Sequence, residues 1–201
     1  ITWLTGPQSS DLPPQLYHVV IDIGGIANKS VPEDEWIVDL ALSPGWYTDW
    51  ENRRPESFRL AGRASAYYRL DEETALGGGF VYLRRDDIPA LPIVGVILGN
   101  ERLGYRHELV FPRPRMSWRV RERSDSSRWL YVLGELGGGS WAIKRTDRTP
   151  DVVTLRDLHV MGGIEFRRKN GGRAMWEAGW VFDRSITSRT GRGDYNPSDA
   201  F

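Results

Sequence analysis

Residues 58–70, FRLAGRASAYYRL, alternate between apolar and charged positions. Every second residue from Phe58 onward is uncharged, whereas Arg59, Arg63 and Arg69 fall in the other set. Successive side chains of a β-strand point to opposite faces, so this segment predicts a strand with one apolar and one charged face. Helical periodicity is weak along the whole chain, and the same alternation recurs elsewhere. The pattern therefore predicts an all-β protein.

Further strands are predicted wherever this period-two alternation returns. The segments that show it are 36–42, 115–121, 157–167 and 174–183, and more weakly 17–27, 75–83 and 128–143. Short polar connections alternate with longer ones. The short ones are 28–34, 71–74, 124–127 and 169–172, and the longer ones are 43–57, most of 84–114, and 144–151. Up-and-down barrels of bacterial outer membranes have this arrangement. We therefore expect one domain, residues 1–201, forming an antiparallel up-and-down transmembrane β-barrel of about 8–12 strands.

Each face of such a barrel has a different environment, because lipid lies outside and a polar interior lies inside. The residues predicted to face lipid are Phe58, Leu60, Ala64, Tyr68, Trp118, Val160, Ile164, Trp176, Trp180 and Phe182. The residues predicted to form a charged network lining the lumen are Arg59, Arg63, Arg69, Arg115, Arg119, Arg121, Asp39, Glu135, Asp157, Glu165, Arg167, Glu177 and Asp183. Aromatic residues toward both ends of the apolar faces fit the two interfaces of a bilayer.

A soluble β-barrel or sandwich that binds a small ligand is the main alternative, with the same arginines facing water. The apolar faces, however, contain many Ala and Gly residues, which would leave a soluble core underfilled. No run approaches the roughly 20 apolar residues of a membrane helix. The chain balances 27 Lys and Arg against 27 Asp and Glu, which argues against a nucleic-acid partner, and it contains no cysteine. Because it begins with Ile1, we expect a processed or trimmed chain.

The stretch from Phe58 to Val120 resembles bacterial outer-membrane β-barrel proteins, in particular a family of small barrels of unknown function from Gram-negative-type bacteria. The similar residues are FRLAGRASAYYRLDEETALGGGFVYLRRDDIPALPIVG and HELVFPRPRMSWRV, with DIP at 87–89 and FPRP at 111–114 the most distinctive. The resemblance implies an outer-membrane location and brings no activity and no functional residue. Such barrels usually end in an alternating strand closed by an aromatic residue. GDYNPSDAF at 193–201 does not alternate, so we expect the last strand beyond this chain or a different closure.

The charges on the inner face can serve structure or transport. Facing arginines and carboxylates are expected to pair, because an unpaired buried charge costs several kcal/mol. The transport alternative is a narrow path for anions, lined by a set of arginines, as basic rings line anion pores. That set is Arg59, Arg63, Arg119 and Arg121.

Catalysis has weaker support than either role. His159, Asp157 and Glu165 share a predicted face, and Ser140 lies on a neighbouring strand, but no Gly-x-Ser-x-Gly elbow is present. No His-x-x-x-His motif or acidic loop indicates a metal. We therefore expect no enzyme activity, no metal and no cofactor.

The expected role is a structural envelope barrel or a narrow passive channel for small solutes, with membrane lipid as its partner. Segment 84–114 contains the apolar, proline-broken run IPALPIVGVIL. It fits a plug in the lumen, an additional strand pair, or a partner-binding surface. The last of these supports a third hypothesis, a barrel that docks onto another envelope protein.

Overall fold

In the computed structural model the protein is all-β, and twelve strands are joined in one sheet. The structure describes residues 2–3, 11–28, 35–52, 54–100 and 102–199. The strands are β1 (Thr2–Trp3), β2 (Gln15–Val20), β3 (Ile23–Asn28), β4 (Trp36–Thr48), β5 (Phe58–Arg69), β6 (Thr74–Tyr82), β7 (Ala90–Leu98), β8 (Tyr105–Phe111), β9 (Arg115–Glu122), β10 (Ser126–Lys144), β11 (Pro150–Arg168) and β12 (Arg173–Ser188). A single 3₁₀ turn, Pro55–Ser57, lies among these residues.

Seven of the strands close into a barrel. Each strand from β4 to β10 pairs antiparallel with the next. The ring closes where β10 meets β4 in a parallel bridge between Ala142 and Thr48. Strands β11 and β12 continue the sheet beyond β10, while β2 and β3 both pair with β4. The sheet is therefore mixed, which differs from the predicted wholly antiparallel topology.

The expectation that 43–57 is one long connection is wrong, and of the three alternatives for 84–114 the structure confirms the additional strand pair. Strand β4 continues through Thr48, and 84–114 contains the additional strand pair β7–β8. In β7 both faces are apolar, so no alternation marks the strand. Ile93 and Ile97 are buried inside the barrel, whereas Val94 is exposed outside.

The barrel has two ends that differ in their connections. The turn end carries the connections 70–73, 99–104, 123–125 and 169–172, and the loop end carries 49–57, 83–89, 112–114 and 145–149. Strands β10 and β11 have 19 residues each, whereas a membrane strand needs about 9–11. Their excess length lies toward the loop end.

An ordinary hydrophobic core covers this excess length. Trp141 and Ile143 of β10 pack with Val153 and Leu155 of β11 against Ile186 of β12, together with Leu16 of β2. Here the apolar side chains are buried, as in a soluble domain. A second apolar cluster, formed by Tyr67, Ala75, Ile93 and Ile97, fills part of the barrel interior.

The glycine run 77–79 permits a close approach between β5 and β6. A Cβ atom on Gly79 would lie 2.0 Å from the carbonyl oxygen of Ala64, and one on Gly77 would lie 2.2 Å from that of Ala66. Only glycine fits such spacing. The run therefore serves strand packing.

Candidate functional site

At several positions of the barrel wall an inward polar side chain is buried while its outward apolar neighbours are exposed. On β5, Arg59 is 6% exposed and Ser65 7%, whereas Leu60 and Tyr68 are each 40% exposed. Soluble proteins bury apolar side chains and leave nearly all Arg side chains exposed. The wall of this barrel reverses that order.

Two aromatic pairs mark the limits of the apolar face on β4 and β5. The rings of Trp36 and Tyr68 meet edge to face with centroids 5.2 Å apart, near the turn end. The rings of Trp46 and Phe58 meet in the same way at 5.1 Å, near the loop end. The outward residues between the pairs carry no charge. They are Val38, Leu40, Leu42 and Pro44 of β4, and Leu60, Gly62, Ala64 and Ala66 of β5.

The apolar face continues around the sheet as a belt. Its exposed large side chains include Leu76, Phe80, Val94, Leu109, Phe111, Met116, Val120, Leu130 and Val132. Of the ten residues predicted to face lipid, seven are exposed, namely Phe58, Leu60, Tyr68, Trp118, Val160, Trp176 and Trp180. The other three, Ala64, Ile164 and Phe182, are half-buried and lie on the same face.

Glu165 organises the inner face toward the turn end. Its side chain is 2% exposed, and its two carboxylate oxygens lie 2.7 Å from Arg115 Nη2 and 2.9 Å from Arg167 Nε. Both guanidinium groups also stack on aromatic rings, Arg115 at 3.9 Å from the centroid of Tyr131 and Arg167 at 4.6 Å from that of Trp129. The charges of this inward network are thus paired, as buried ions need to be.

Two further residues extend this network. The hydroxyl of Tyr131 donates a hydrogen bond of 2.6 Å to Glu177 on β12. Arg119 lies 3.1 Å from Glu122 and donates to the carbonyl of Arg102. Toward this end the inner face of β9 to β12 is thus covered by paired side chains.

A cavity of about 720 Å³ lies farther along the inner face, toward the loop end. Its lining includes Arg63, Glu135, Asp157, His159 and Trp141. His159 Nε2 lies 3.0 Å from Asp157 Oδ1, and His159 Nδ1 lies 3.6 Å from Glu135 Oε1. The lining therefore combines carboxylates with an imidazole.

Arginines of the inner face are tied to carboxylates at the middle and the loop end of the barrel. Arg63 Nε lies 2.8 Å from Asp39 Oδ2. Arg59 donates to the carbonyl of Arg84 and lies 3.5 Å from Asp86, which also binds Arg189 at 2.6 Å.

The four arginines proposed to line an anion path do not form a ring. Arg59 lies at the loop-end start of β5, with Arg63 four residues farther along. Arg119 and Arg121 lie near the turn-end terminus of β9. Arg69, at the turn-end terminus of β5, is half-buried opposite Ala75.

Two residues predicted for the lumen network lie elsewhere. A bulge in β9 places Arg121 opposite Arg128 on the outer face, because the added residue shifts the alternation by one. Asp183 sits at an irregularity of β12 with a φ of 49°, is exposed, and lies 3.6 Å from Arg156. In both cases a local break in the ladder overrides the alternation.

Ser140 and His159 are not brought together. Ser140 is opposite Thr154, and His159 is opposite Glu135. Glu135 and Ser140 are five positions apart on β10, so Ser140 and His159 face opposite sides of the sheet. The Ser140 hydroxyl instead shares a hydrogen bond of 2.8 Å with Thr154 and accepts one from the backbone N–H of Asp86. Ser140 therefore does not join His159 and Asp157 in one group.

The connection 83–89 contributes contacts that the alternation does not reveal. Arg85 is 7% exposed and binds Asp87 at 2.8 Å, the carbonyl of Gly137 at 2.6 Å and the carbonyl of Leu155 at 3.1 Å. Its only signal in the sequence is the charged run RRDD at 84–87. These contacts hold the connection 83–89 against β10 and β11.

A second set of contacts joins the β10–β11 connection to the chain after β12. Asp147 accepts hydrogen bonds from Thr149 at 3.0 Å and from Arg192 at 3.0 Å. The Thr149 hydroxyl, the Thr149 backbone N–H and the Arg192 guanidinium lower the pKa of Asp147 from 3.8 to about 2. The same pairing raises the pKa of Arg192.

No helix in the described part of the chain is long and apolar enough to cross a membrane. Nor do the described His, Asp and Glu residues form a group of three or more that could hold a metal ion. Comparison with models of protein families, with curated proteins and with solved structures finds no match to this chain.

Proposed function

We propose that the protein is a bacterial outer-membrane β-barrel with a structural role in the cell envelope. The observation that carries the proposal is the reversed burial of the wall, with Arg59 and Glu165 inside and Leu40 and Trp176 outside. Lipid is the solvent in which an exposed apolar belt is stable without a protein partner.

The size of the belt supports a bilayer. Trp36 and Trp46 are ten residues apart on β4, about 33 Å along a strand. A membrane strand tilted by about 40° converts this length to roughly 25 Å across the bilayer, which is the height of the apolar band in such barrels. The two aromatic pairs then lie at the two interfaces, where aromatic side chains are enriched.

The filled interior supports a structural role over an open pore. The Glu165 network covers the turn-end part of the inner face on β9, β10 and β11, and Tyr67, Ile93 and Ile97 pack inside the barrel. A barrel of about eight strands has an interior just wide enough for side chains. A closed ring of seven strands leaves no more room than that.

A narrow passive channel is the second candidate, and the cavity lined by Arg63, Glu135 and His159 favours it. Conductance of the purified protein in a planar bilayer separates the two roles. A structural barrel gives no steps above the bare bilayer. Reproducible steps that change when Glu135 and Asp157 are neutralised establish the channel instead.

The membrane location is tested on the chain bearing an export signal. Folded barrels resist detergent and migrate differently until boiled, so we expect a heat-dependent gel shift in the outer-membrane fraction. In vesicles with brominated acyl chains, Trp36 and Trp46 are expected to account for a large part of the quenched fluorescence.

The control for this quenching is Trp141→Phe. Trp141 is 4% exposed in the loop-end core, so its replacement should leave the quenched component intact. Trp36→Phe together with Trp46→Phe should reduce it. A freely soluble protein with no heat shift and no quenching would favour the soluble ligand-binding barrel. Stoichiometric co-purification of one envelope protein would favour the docking subunit.

A further inference from the structure

A pocket rich in arginine lies at the turn end, where the β9–β10 and β11–β12 connections meet. The backbone N–H of Lys169 in one connection donates to the carbonyl of Asp125 in the other at 2.9 Å. The pocket has a volume of about 580 Å³. Its charged lining consists of Arg121, Arg123, Arg128, Arg167, Arg168, Arg173 and Asp125. Six arginines and one aspartate thus line the pocket, and two of the arginines, Arg167 and Arg173, also contact Glu165.

Most of these arginines have no carboxylate partner. Arg121, Arg123, Arg128 and Arg168 form no ion pair with any carboxylate in the described part of the chain, unlike the inward Arg115. Arg121 and Arg128 are even directly opposite each other on adjacent strands, an arrangement that destabilises a sheet through like-charge repulsion. A bound anion would relieve this repulsion.

The pocket adjoins the apolar belt on its outer side. One row across four strands consists of Arg121, Arg128, Phe166 and Ala174. The next outward-facing row, toward the loop end, consists of Trp118, Leu130, Ile164 and Trp176. Trp176 is 74% exposed, and the Arg128 guanidinium lies 4.9 Å from the centroid of the Phe166 ring. Cationic and apolar surfaces thus meet along one edge.

We propose that this pocket binds a phosphate group, supplied by the headgroup of an anionic lipid whose acyl chains lie on the row from Trp118 to Trp176. Guanidinium groups bind phosphate oxygens in pairs, and basic pockets at a membrane surface bind anionic headgroups. The lipid source rests on the proposed membrane location. The recognition of phosphate rests on the arginines alone.

Binding is measured on the full chain in zwitterionic detergent, by calorimetric titration with dihexanoyl phosphatidic acid and with dihexanoyl phosphatidylcholine. We expect phosphatidic acid to bind at least tenfold more tightly. The triple variant Arg121→Gln, Arg128→Gln and Arg168→Gln should lose at least tenfold in that affinity. The matched control, Arg54→Gln, Arg102→Gln and Arg148→Gln, removes three exposed arginines elsewhere and should bind as the unaltered protein does.

Competition with inorganic phosphate identifies the source. If inorganic phosphate displaces phosphatidic acid at similar concentrations, the pocket recognises the phosphate group alone. If inorganic phosphate does not displace it, the acyl chains contribute to binding. If the triple variant does not fold, Arg168→Gln alone should weaken binding about threefold. Equal affinity for both lipids, or equal loss in the triple and control variants, overturns the proposal. Because this titration needs no bilayer, it fails or succeeds independently of membrane insertion.

Discussion

Arg115 on β9 reaches across the ring of Tyr131 on β10 to Glu165 on β11, with 2.7 Å between guanidinium and carboxylate. The contact spans three strands and leaves Glu165 enclosed by Arg115 and Arg167. Arg115 thus combines an ion pair with Glu165 and a stacking contact with Tyr131. The contact therefore holds three neighbouring strands together as well as pairing their charges.

Glu165→Gln is expected to lower the free energy of unfolding by about 3 kcal/mol, because it leaves two partly buried guanidinium groups without their counter-charge. Urea titration of the protein in phospholipid vesicles measures this loss. Glu122→Gln is the control, since Glu122 is 59% exposed beside Arg119 and its loss should cost at most about 1 kcal/mol. Equal small effects would show that the Glu165 network does not stabilise the barrel.

Leu40→Arg places a charge midway between the two aromatic pairs on the belt. If lipid covers this face, the change should destabilise the folded state by about 2–4 kcal/mol. Leu70→Arg makes the same substitution at an exposed leucine just beyond β5 and should cost about 0–1 kcal/mol. The same urea titration compares them. In water both changes would be close to neutral, so equal effects would contradict a lipid-covered belt.

Gly79→Ala is expected to destabilise the protein by about 1–3 kcal/mol, because the added methyl would overlap the carbonyl of Ala64 in the neighbouring strand. Gly25→Ala, on β3, meets no heavy atom within 4 Å and should be nearly neutral. The midpoint of thermal or urea unfolding distinguishes the two. A neutral Gly79→Ala would show that β5 and β6 separate at little cost.

Asp147 is expected to make the contact between the connection 145–149 and Arg192 sensitive to acid. Its folded-state pKa of about 2 lies below the ordinary value of 3.8, so its stabilising effect is present above 3.8 and disappears as the pH falls through 2. Hydrogen exchange at residues 189–194 should be slower in the unaltered protein than in Asp147→Asn at pH 5. That difference should vanish between about pH 4 and pH 2. A difference independent of pH would exclude the carboxylate as its cause.

Alternation in the sequence predicts most strands because the wall of the barrel has one apolar and one polar face. It predicts β5 within one residue and assigns Arg59 and Leu60 to the faces they occupy. It fails for β7, where Ile93 and Val94 are both apolar although one is buried inside and the other exposed. A strand that is apolar on both faces carries no period-two signal.

The parts of the site that tertiary contacts form could not be predicted from the sequence either. The bulge that moves Arg121 to the outer face depends on the pairing of β9 with β10. The hydrogen bonds of Arg85 and Asp147 join segments that are far apart in the chain, and no local pattern encodes such partners. Residues on regular ladders with one apolar and one polar face were predictable, whereas those on β7, at irregularities or in connections were not.

The ring is closed at one seam, where Ala142 meets Thr48, and side chains hold it there. The carboxylate of Asp49 accepts from the backbone N–H of Lys144 at 2.6 Å, and the amide of Asn52 donates to the carbonyl of Ile143 at 2.9 Å. Every other junction of the ring is a ladder of backbone hydrogen bonds. The seam is the junction of the ring with the fewest backbone pairings, so we expect the barrel to open there first, and the side chains of Asp49 and Asn52 to oppose that opening.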